Sequence, residues 1–231
     1  MNISEAILSR RTVRGFLDKE VPEDILRELF NVARFSASNC NTQPWNLTVV
    51  SGELRQQLEQ EILQEIASGQ KPAPAFKPGD SDLSGVYKER QHQCAAEYYG
   101  TMGIERSDKQ ARQELLLKNW SFFGAPHVGI LTMPKTMGPT NAIDIGIYLQ
   151  SIMLLLVEYG LASCPQGALA YYPNAIYKLC NIPADQGIIC GLSFGYADQD
   201  ALINTVKMPR AELKDTVTFL SGPVTDSKNG F

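Results

Sequence analysis

The stretch NAIDIGIYLQSIMLLLVEY, residues 141–159, is the part of this sequence that decides the fold. Apolar side chains occur almost all round its helical projection, which is typical of a helix buried on most sides in a core or an interface. Gly160 follows directly and predicts the end of the helix, because glycine readily takes the left-handed conformation found after helix C-termini. We therefore expect one long central helix over 141–159.

Working outward from this helix, stretches typical of strands are few and lie far apart. We predict strands at 47–50, 127–132 and 188–196, with 217–220 as a fourth. Helical spacing predicts helices at 4–10, 22–35, 54–67, 86–99 and 108–120. The pattern predicts an α+β fold in which helices pack around one sheet. A chain of 231 residues fits a single domain, 1–231.

Residues 69–84 interrupt this pattern. They contain Pro72, Pro74 and Pro78 followed by Gly79, so they do not form one regular element. Loops of this length inside a compact domain are often lids or disordered segments. Two readings stay open: a surface excursion, or a lid whose Phe76 covers a ligand.

Composition excludes several classes of protein. The net charge of −4 argues against binding to nucleic acid through phosphate neutralisation. The five cysteines include no CxxC pair, so neither a disulfide framework nor a structural zinc site is indicated. The N-terminus lacks the pattern of a signal peptide, and the longest unbroken apolar run, 152–157, is short for a membrane span. We expect a cytoplasmic protein that is not bound to a membrane.

Two basic groups are candidates for binding an anion. Arg10, Arg11 and Arg14 flank Thr12, and in an extended segment Arg10, Thr12 and Arg14 point to one side. Guanidinium groups match phosphate oxygens in a bidentate way. Lys207 and Arg210 form a second group, which matters if the fold brings it beside the first. The alternatives are a solvated surface, or arginines paired with nearby carboxylates: Asp18, Glu20 and Glu23.

Two loops carry small polar or flexible residues. Residues 36–45 supply many hydrogen-bonding side chains, and Asn and Gln amides suit a planar heterocycle. The alternative is a turn loop, and Trp45 is expected in the core. Residues 160–167 form a small, tight segment whose backbone N–H groups could approach a ligand closely, as glycine permits. The alternative is only a helix stop and a turn. We do not expect Cys164 to act as a nucleophile.

Several well-known motifs are missing or out of context. His92 and His127 are the only histidines and form no metal-binding spacing. Neither the Rossmann GxGxxG nor the P-loop pattern occurs. A GxSxG match at 191–195 lies within a predicted strand with no histidine after it, so we interpret it as a chance match rather than a hydrolase elbow.

Taken together, these pieces resemble the FMN-dependent nitroreductase family, and most closely its nitrobenzoate-reductase-like branch. The matching motifs are RRTVRGF at 10–16, SASNCNTQPW at 36–45, FFGAP at 122–126, the stretch 144–150, GLASCPQGA at 160–168 and VKMPR at 206–210. They occur in the family's order over about residues 4–220. Each alone is weak, but the ordered set is specific.

The resemblance implies a homodimeric α+β sandwich, with a mostly antiparallel sheet flanked by helices and a C-terminal tail that wraps the dimer partner. It implies two FMN sites at the dimer interface. Arg10, Arg11, Thr12, Arg14, Lys207 and Arg210 would hold the phosphate and ribityl side. Ser38, Asn39 and Asn41 would reach the flavin of the partner subunit. Pro165, Gln166 and Gly167 would lie beside the isoalloxazine ring.

The implied activity is transfer of two electrons by ping-pong exchange from NADH or NADPH to a small-molecule acceptor: a nitroaromatic, a quinone or an activated alkene. The chemistry would occur on the cofactor, so no catalytic acid or base is assigned. The alternatives are reductive dehalogenation or other flavin chemistry on this fold, and a flavin-binding protein without efficient turnover. Gln166 departs from the acidic residue of many members, and the spacing of Lys207 and Arg210 is wider than usual.

Overall fold

The computed structural model describes residues 1–222. The last residues of the predicted single domain 1–231, which belong to the predicted C-terminal tail, are 223–231 and lie outside the described residues. The helices are α1 (Ile3–Ser9), α2 (Glu23–Ala33), α3 (Gly52–Ala67), α4 (Gly85–Thr101), α5 (Lys109–Leu117), α6 (Pro139–Glu158) and α7 (Pro173–Leu179). The strands are β1 (Asn46–Ser51), β2 (His127–Pro134), β3 (Ala162–Gln166) and β4 (Gln186–Gly195). The predicted α+β class is confirmed.

The four strands form one sheet in the order β1-β2-β4-β3. Each neighbouring pair is antiparallel, which confirms the expected sheet. A register shift between Leu131 and Thr132 interrupts the pairing of β2 with β4. The central strands are therefore β2 and β4, while β1 and β3 lie at the two edges.

Helices cover both faces of the sheet, so that β2 is buried along nearly its whole length. Val128 and Ile130 pack in the cluster that includes residues of α3 and α7, whereas Leu131 and Met133 pack in the cluster formed with α2 and α6. This distribution reflects the alternation of side chains along a strand. Burying each of these side chains stabilises the fold by about 1.5–3 kcal/mol.

The long helix forms as predicted, but it begins two residues earlier, at Pro139. Proline is tolerated there because the first helical residues have no intrahelical partner for their N–H groups. Gly160 ends the helix with φ of +71°. Burial is less complete than expected, since Ile143 is 64% exposed and Ile147 is 40% exposed. One face of α6 thus packs in the core, and an apolar face remains uncovered by the other residues of 1–222.

By length and composition alone, α6 is also long and apolar enough to cross a membrane. A core helix of a folded domain meets the same criteria. Ile145, Ile152 and Leu156 on α6 are buried in the core cluster of this chain.

The edge strand β3 differs from expectation. Residues 160–167 were open to interpretation as a helix stop and a turn, yet 162–166 pair with β4. Pro165 is compatible with this strand because proline is confined to edge strands, where its missing N–H breaks no ladder. The predicted strand at 217–220 is wrong for this chain alone: these residues are exposed and irregular. Helix α7 was not predicted.

Candidate functional site

The arginine-rich segment, residues 10–14, lies along the free edge of β3. The Val13 N–H donates to the carbonyl oxygen of Ser163 at 3.0 Å, and Thr12 forms a single parallel bridge with Ser163. The Val13 side chain is buried. The centre of the segment is thereby fixed, with its polar side chains next to the 160–167 segment.

Asn204, which sequence reasoning missed, ties the two basic groups together. Its Oδ1 accepts from the Arg14 N–H at 2.8 Å, and its carbonyl oxygen accepts from Nη1 of Arg11 at 3.1 Å. Its Nδ2 donates to the carbonyl oxygens of Gly15 and Asp198. This buried amide therefore joins the arginine-rich segment to the chain that leads into Lys207. A separation of 190 residues leaves no local signal that could have identified it.

The fold also brings the C-terminal basic group to the N-terminal one. Partial burial, and then the charge of nearby Arg210, lower the pKa of Arg10. Arg210 donates from Nη1 to the carbonyl oxygens of Met208 and Pro209, both at 3.0 Å, while Lys207 is exposed. Two guanidinium groups from opposite ends of the chain thus lie near each other, although their like charges repel.

No carboxylate within residues 1–222 forms an ion pair with an arginine of the 10–14 segment, with Lys207 or with Arg210. The ion pairs in that range are Arg27–Glu23, Arg55–Glu59, Lys77–Asp82 and Lys178–Glu61. The alternative in which the N-terminal arginines pair with Asp18, Glu20 or Glu23 is not realised, and Glu23 pairs with Arg27 instead. Neighbouring guanidinium groups without a carboxylate partner form a site suited to a phosphate or another anion.

Aromatic side chains hold Arg14. Its guanidinium carbon lies 4.8 Å from the ring centroid of Tyr98 on α4 and 5.9 Å from that of Phe123. Burial raises the pKa of Tyr98 to about 12 despite the opposing charge of Arg14, so the phenol stays protonated. These contacts place α4 as one wall of the arginine site.

The end of β3 presents backbone rather than side chains. The Gln166 side chain is buried; its Nε2 donates to the carbonyl oxygen of Asn119 at 2.7 Å, and its Oε1 accepts from the Ser193 hydroxyl. Gly167 is exposed at the edge. Ser193 is the serine of the GxSxG match, and it lies inside β4 as predicted for a chance match.

Cys164 is not a reactive thiol. It is buried in β3, and burial raises its pKa to about 12, although the charge of Arg14 opposes this shift. The nucleophile is the thiolate, and a thiol with this pKa stays protonated near neutrality. This agrees with the expectation from the sequence.

The polar loop at 36–45 is held by α6. The Asn39 N–H donates to Oδ1 of Asp144 at 3.1 Å, and Trp45 stacks on Tyr148 at 4.7 Å between ring centroids. Trp45 thus packs against the core, as expected. Within residues 1–222, no hydrogen bond or ion pair joins this loop to the arginine-rich segment. Ser38, Asn39 and Asn41 therefore form a group of their own.

The backbone of this loop is strained. Cys40, Asn41 and Gln43 have φ of +50°, +56° and +46°. Residues with a Cβ rarely adopt this region, at a cost of about 1–2 kcal/mol each, with Asn the most tolerant. The Ser38 Oγ accepts from the Gln43 N–H at 3.0 Å and helps to close the turn. Such strain persists only where surrounding contacts impose it.

A cavity of about 980 Å³ opens beside Gly167. Its walls are mainly apolar, and residues 74–80 of the proline-rich segment form one side. That segment does not form one regular element, as predicted, and it contains no helix or strand. It is held by the hydrogen bond from the Ala73 N–H to the Tyr171 carbonyl oxygen, and by Phe76, which packs directly on Gly187. A ligand in this cavity would touch both the strand end and the proline-rich segment.

A second cavity, about 690 Å³, lies between α2 and β1. His127 at its base accepts from the Val21 N–H through Nε2 at 2.9 Å and shares a hydrogen bond with Ser51 through Nδ1. Burial lowers the pKa of His127, against the opposing charge of Glu20. Neither ring nitrogen is available to a metal, and residues 1–222 contain no cluster of metal-binding side chains.

The site therefore combines three features. Arginines without an ion-pair partner in residues 1–222 lie at the edge of the sheet, the backbone at the end of β3 is next to them, and a cavity opens beside Gly167. The nitroreductase family model matches residues 7–196. The chain is 36% identical to nitroreductase NfnB of Mycolicibacterium smegmatis over 92% of this chain and 90% of that protein. It is 35% identical to 4-nitrobenzoate reductase of Pseudomonas putida over 88% of this chain and 89% of that protein.

Solved structures agree. The FMN and NADPH-dependent nitroreductase NfnB from Sphigopyxis sp. strain HMH superposes with a TM-score of 0.92 at 34% identity, over 96% of this chain and 100% of that chain. The FMN-dependent NfnB from Mycobacterium smegmatis, solved in complex with NADPH, superposes with a TM-score of 0.91 at 35% identity, over 95% of this chain and 100% of that chain. The chain belongs to the nitroreductase family.

Proposed function

We propose that this protein is an FMN-dependent oxidoreductase that passes two electrons from NADH or NADPH to a nitroaromatic, a quinone or an activated alkene. This chain aligns with nitroreductase NfnB and with 4-nitrobenzoate reductase over nearly their whole length. Both of the solved nitroreductase structures named above are FMN-dependent enzymes. The observation that carries the proposal is the link through Asn204, which binds both Arg11 and Arg14 and so joins the arginine-rich segment to the chain that leads to Lys207 and Arg210, with no ion pair from these groups to a carboxylate in residues 1–222.

The donor set fits a flavin phosphate. Arg10, Arg14 and Arg210 supply guanidinium groups, Thr12 supplies a hydroxyl, and the exposed Lys207 adds an ammonium group. A dianionic phosphate would offset the repulsion between Arg10 and Arg210. Arg11 contributes differently, because its guanidinium is already bound to the Asn204 carbonyl oxygen. We therefore assign Arg11 a supporting role at the phosphate site.

The end of β3 would lie along the flavin ring. Pro165, Gln166 and Gly167 offer backbone there, while the Gln166 side chain is held inside the protein by Asn119 and Ser193. A bound FMN would supply the two-electron chemistry that links the nicotinamide to the acceptor. The protein would position both partners, and the cavity beside Gly167 is the proposed acceptor site.

We further propose a homodimer. Ile143 and Ile147 leave an apolar stripe on α6 uncovered, and the tail exposes Val217, Phe219 and Leu220. An exposed apolar surface of this kind is typical of a protein–protein interface. In a dimer, Ser38, Asn39 and Asn41 would serve the flavin site of the partner subunit. The C-terminal tail would then cover the other protomer.

We also propose a cytoplasmic location. All five cysteines are unpaired, as expected for a protein in a reducing compartment.

The activity is tested by steady-state oxidation of NADH and NADPH by the flavin-loaded protein, with and without nitrobenzene, 4-nitrobenzoate or a quinone. We expect turnover that depends on the acceptor, with parallel initial-rate lines for the two substrates. Slow oxidation with every acceptor by a protein that holds FMN would instead support a flavin-binding protein without efficient turnover.

A further inference from the structure

Asp144 on α6 is a buried acid with an unusual setting. Its side chain is only 4% exposed. Its Oδ1 accepts one hydrogen bond, from the Asn39 N–H, and its Oδ2 is buried with no hydrogen-bond partner among residues 1–222. No cation pairs with it in the same range. A carboxylate this poorly compensated contributes little to stability, since burying a charge is costly without full pairing.

The one partner of Asp144 is the strained loop. Asn39 begins the turn that contains Cys40 and Asn41, both in the left-handed region. Four residues further along α6, Tyr148 stacks on Trp45 at the other end of the same loop. Residues four apart lie on one face of a helix. A single face of α6 therefore holds both ends of the loop.

We propose that Asp144 is a positioning residue for the flavin site: its Oδ1 imposes the loop conformation that presents Ser38, Asn39 and Asn41. This inference rests on the proposed function, because those three side chains matter only if flavin is bound. It explains why a buried carboxylate stands where an apolar side chain of similar size would stabilise the fold as well or better. The loop conformation, rather than overall stability, is what Asp144 provides.

The test compares Asp144→Leu and Asp144→Asn with the wild type. Leu removes the acceptor and keeps the same number and branching of side-chain heavy atoms, although it is larger, whereas Asn keeps a carbonyl oxygen that can accept from Asn39. Ile145→Val is the matched control, since Ile145 is the next buried residue on α6 and forms no hydrogen bond to the loop. Each protein is measured for FMN affinity by fluorescence titration, for Tm without flavin, for oligomeric state, and for amide exchange at Asn39.

We expect Asp144→Leu to bind FMN about tenfold more weakly, on the scale of one hydrogen bond to a charged group. Its Tm without flavin should be unchanged or higher. Amide exchange should accelerate at Asn39 and not at Val13, whose N–H is bound to Ser163. Asp144→Asn should recover most of the affinity, and Ile145→Val should bind FMN as the wild type does.

Wild-type FMN affinity in Asp144→Leu, or unchanged exchange at Asn39, would overturn the inference. So would a loss of affinity that merely follows a loss of Tm or of the dimer. If Asp144→Leu does not fold, weak FMN binding by Asp144→Asn together with wild-type amide exchange at Asn39 would contradict the inference equally, because the loop would then be held while the affinity is lost. A wild type that takes up no FMN is a different result, because it overturns the proposed function itself.

Discussion

The side-chain amide of Gln166 donates to the carbonyl oxygen of Asn119 at 2.7 Å, across 47 residues of sequence. Because Nε2 faces a carbonyl, Oε1 must face the Ser193 hydroxyl, which donates to it. Both ends of the amide are thus used, and the orientation of the side chain is fixed. We therefore expect the backbone on either side of Gln166, at Pro165 and Gly167, to be held in place where it would lie beside the flavin ring.

Replacing Gln166 by Glu should make stability depend on pH. One carboxylate oxygen would then face the Asn119 carbonyl, and two acceptors repel unless the acid is protonated. Folding would raise the pKa of the new acid, so the variant should be more stable at low pH and lose stability as pH rises through that pKa. Urea unfolding at several pH values measures this. A pH dependence identical to that of the wild type would contradict the assigned orientation.

Replacing Gln166 by Met removes the amide and leaves the Asn119 carbonyl and the Ser193 hydroxyl without this partner. The Asn119 carbonyl still accepts from the Phe122 N–H at 3.2 Å, so the loss is greatest at the buried Ser193 hydroxyl, and one unsatisfied buried group costs about 1–3 kcal/mol. We therefore expect a lower free energy of unfolding at every pH, without the added slope of the Glu variant.

The double substitution Arg10→Ala and Arg210→Ala should weaken FMN binding by at least about a hundredfold, since each charge-assisted hydrogen bond contributes roughly 1.5–3 kcal/mol. Arg27→Ala is the matched control, because Arg27 is an exposed arginine already paired with Glu23. Fluorescence titration of the apoprotein gives the dissociation constants. Equal FMN content in the double variant and the control would refute the phosphate assignment.

His127 should make the wild-type stability fall in mild acid. Its Nε2 accepts from the Val21 N–H, so protonation of Nε2 would place the imidazolium N–H against the Val21 N–H and break this hydrogen bond. The folded pKa of His127 is lowered, so its contribution is complete above the unfolded pKa of about 6.5 and is lost as pH falls from there through the folded pKa. The slope contributed by one proton is at most about 1.4 kcal/mol per pH unit.

The His127→Gln variant keeps a neutral side chain that can accept a hydrogen bond, and it should flatten this slope between pH 7.5 and 5. Chemical unfolding at each pH provides the comparison. If wild type and variant lose stability in parallel over that range, His127 is not the titrating group.

Gly187 is needed for the packing of the proline-rich segment. A Cβ at this position would lie 2.7 Å from Cζ of Phe76, and closer still to Cε2. Gly187→Ala should therefore displace residues 74–80 and increase proteolytic cleavage there. Gly79→Ala is the control, since a Cβ at Gly79 meets nothing within 4 Å. Equal cleavage in the two variants would show that Phe76 does not anchor the segment.

Charge on the exposed stripe of α6 should break the proposed dimer. Ile143→Glu places an acid on the apolar surface, and monomers that hold little flavin are expected. Leu54→Glu is the matched control. Leu54 is 40% exposed and lies on α3, on the opposite face of the sheet, so this variant should leave the dimer intact. Sedimentation velocity distinguishes the two. A dimeric Ile143→Glu variant would place the interface elsewhere.

Periodic segments were predictable from the sequence. Helix α2 shows apolar residues at helical spacing, and α6 and β2 are marked by long apolar stretches. Strand β3 was missed because its identity depends on its place in the sheet: a segment with Pro165 forms a strand only at an edge. The residues at 217–220 have the composition of a strand but pair with no strand among residues 1–222.

The candidate site was predictable where charge clusters in sequence, as at Arg10, Arg11 and Arg14. The residues that orient the site were not. Asn119, Asp144 and Asn204 bind residues of the candidate site that lie 47 to 193 positions away, and each is a single polar residue in an ordinary local setting. Such contacts are set by tertiary packing, which neither periodicity nor motif spacing records.

The central claim, that the arginine site holds FMN, is tested most directly by the visible absorption spectrum of the purified, desalted protein, followed by heat release of the chromophore. We predict the spectrum of an oxidised flavin and the release of FMN at a molarity comparable to that of the chain. A colourless protein that also fails to take up added FMN would contradict the account.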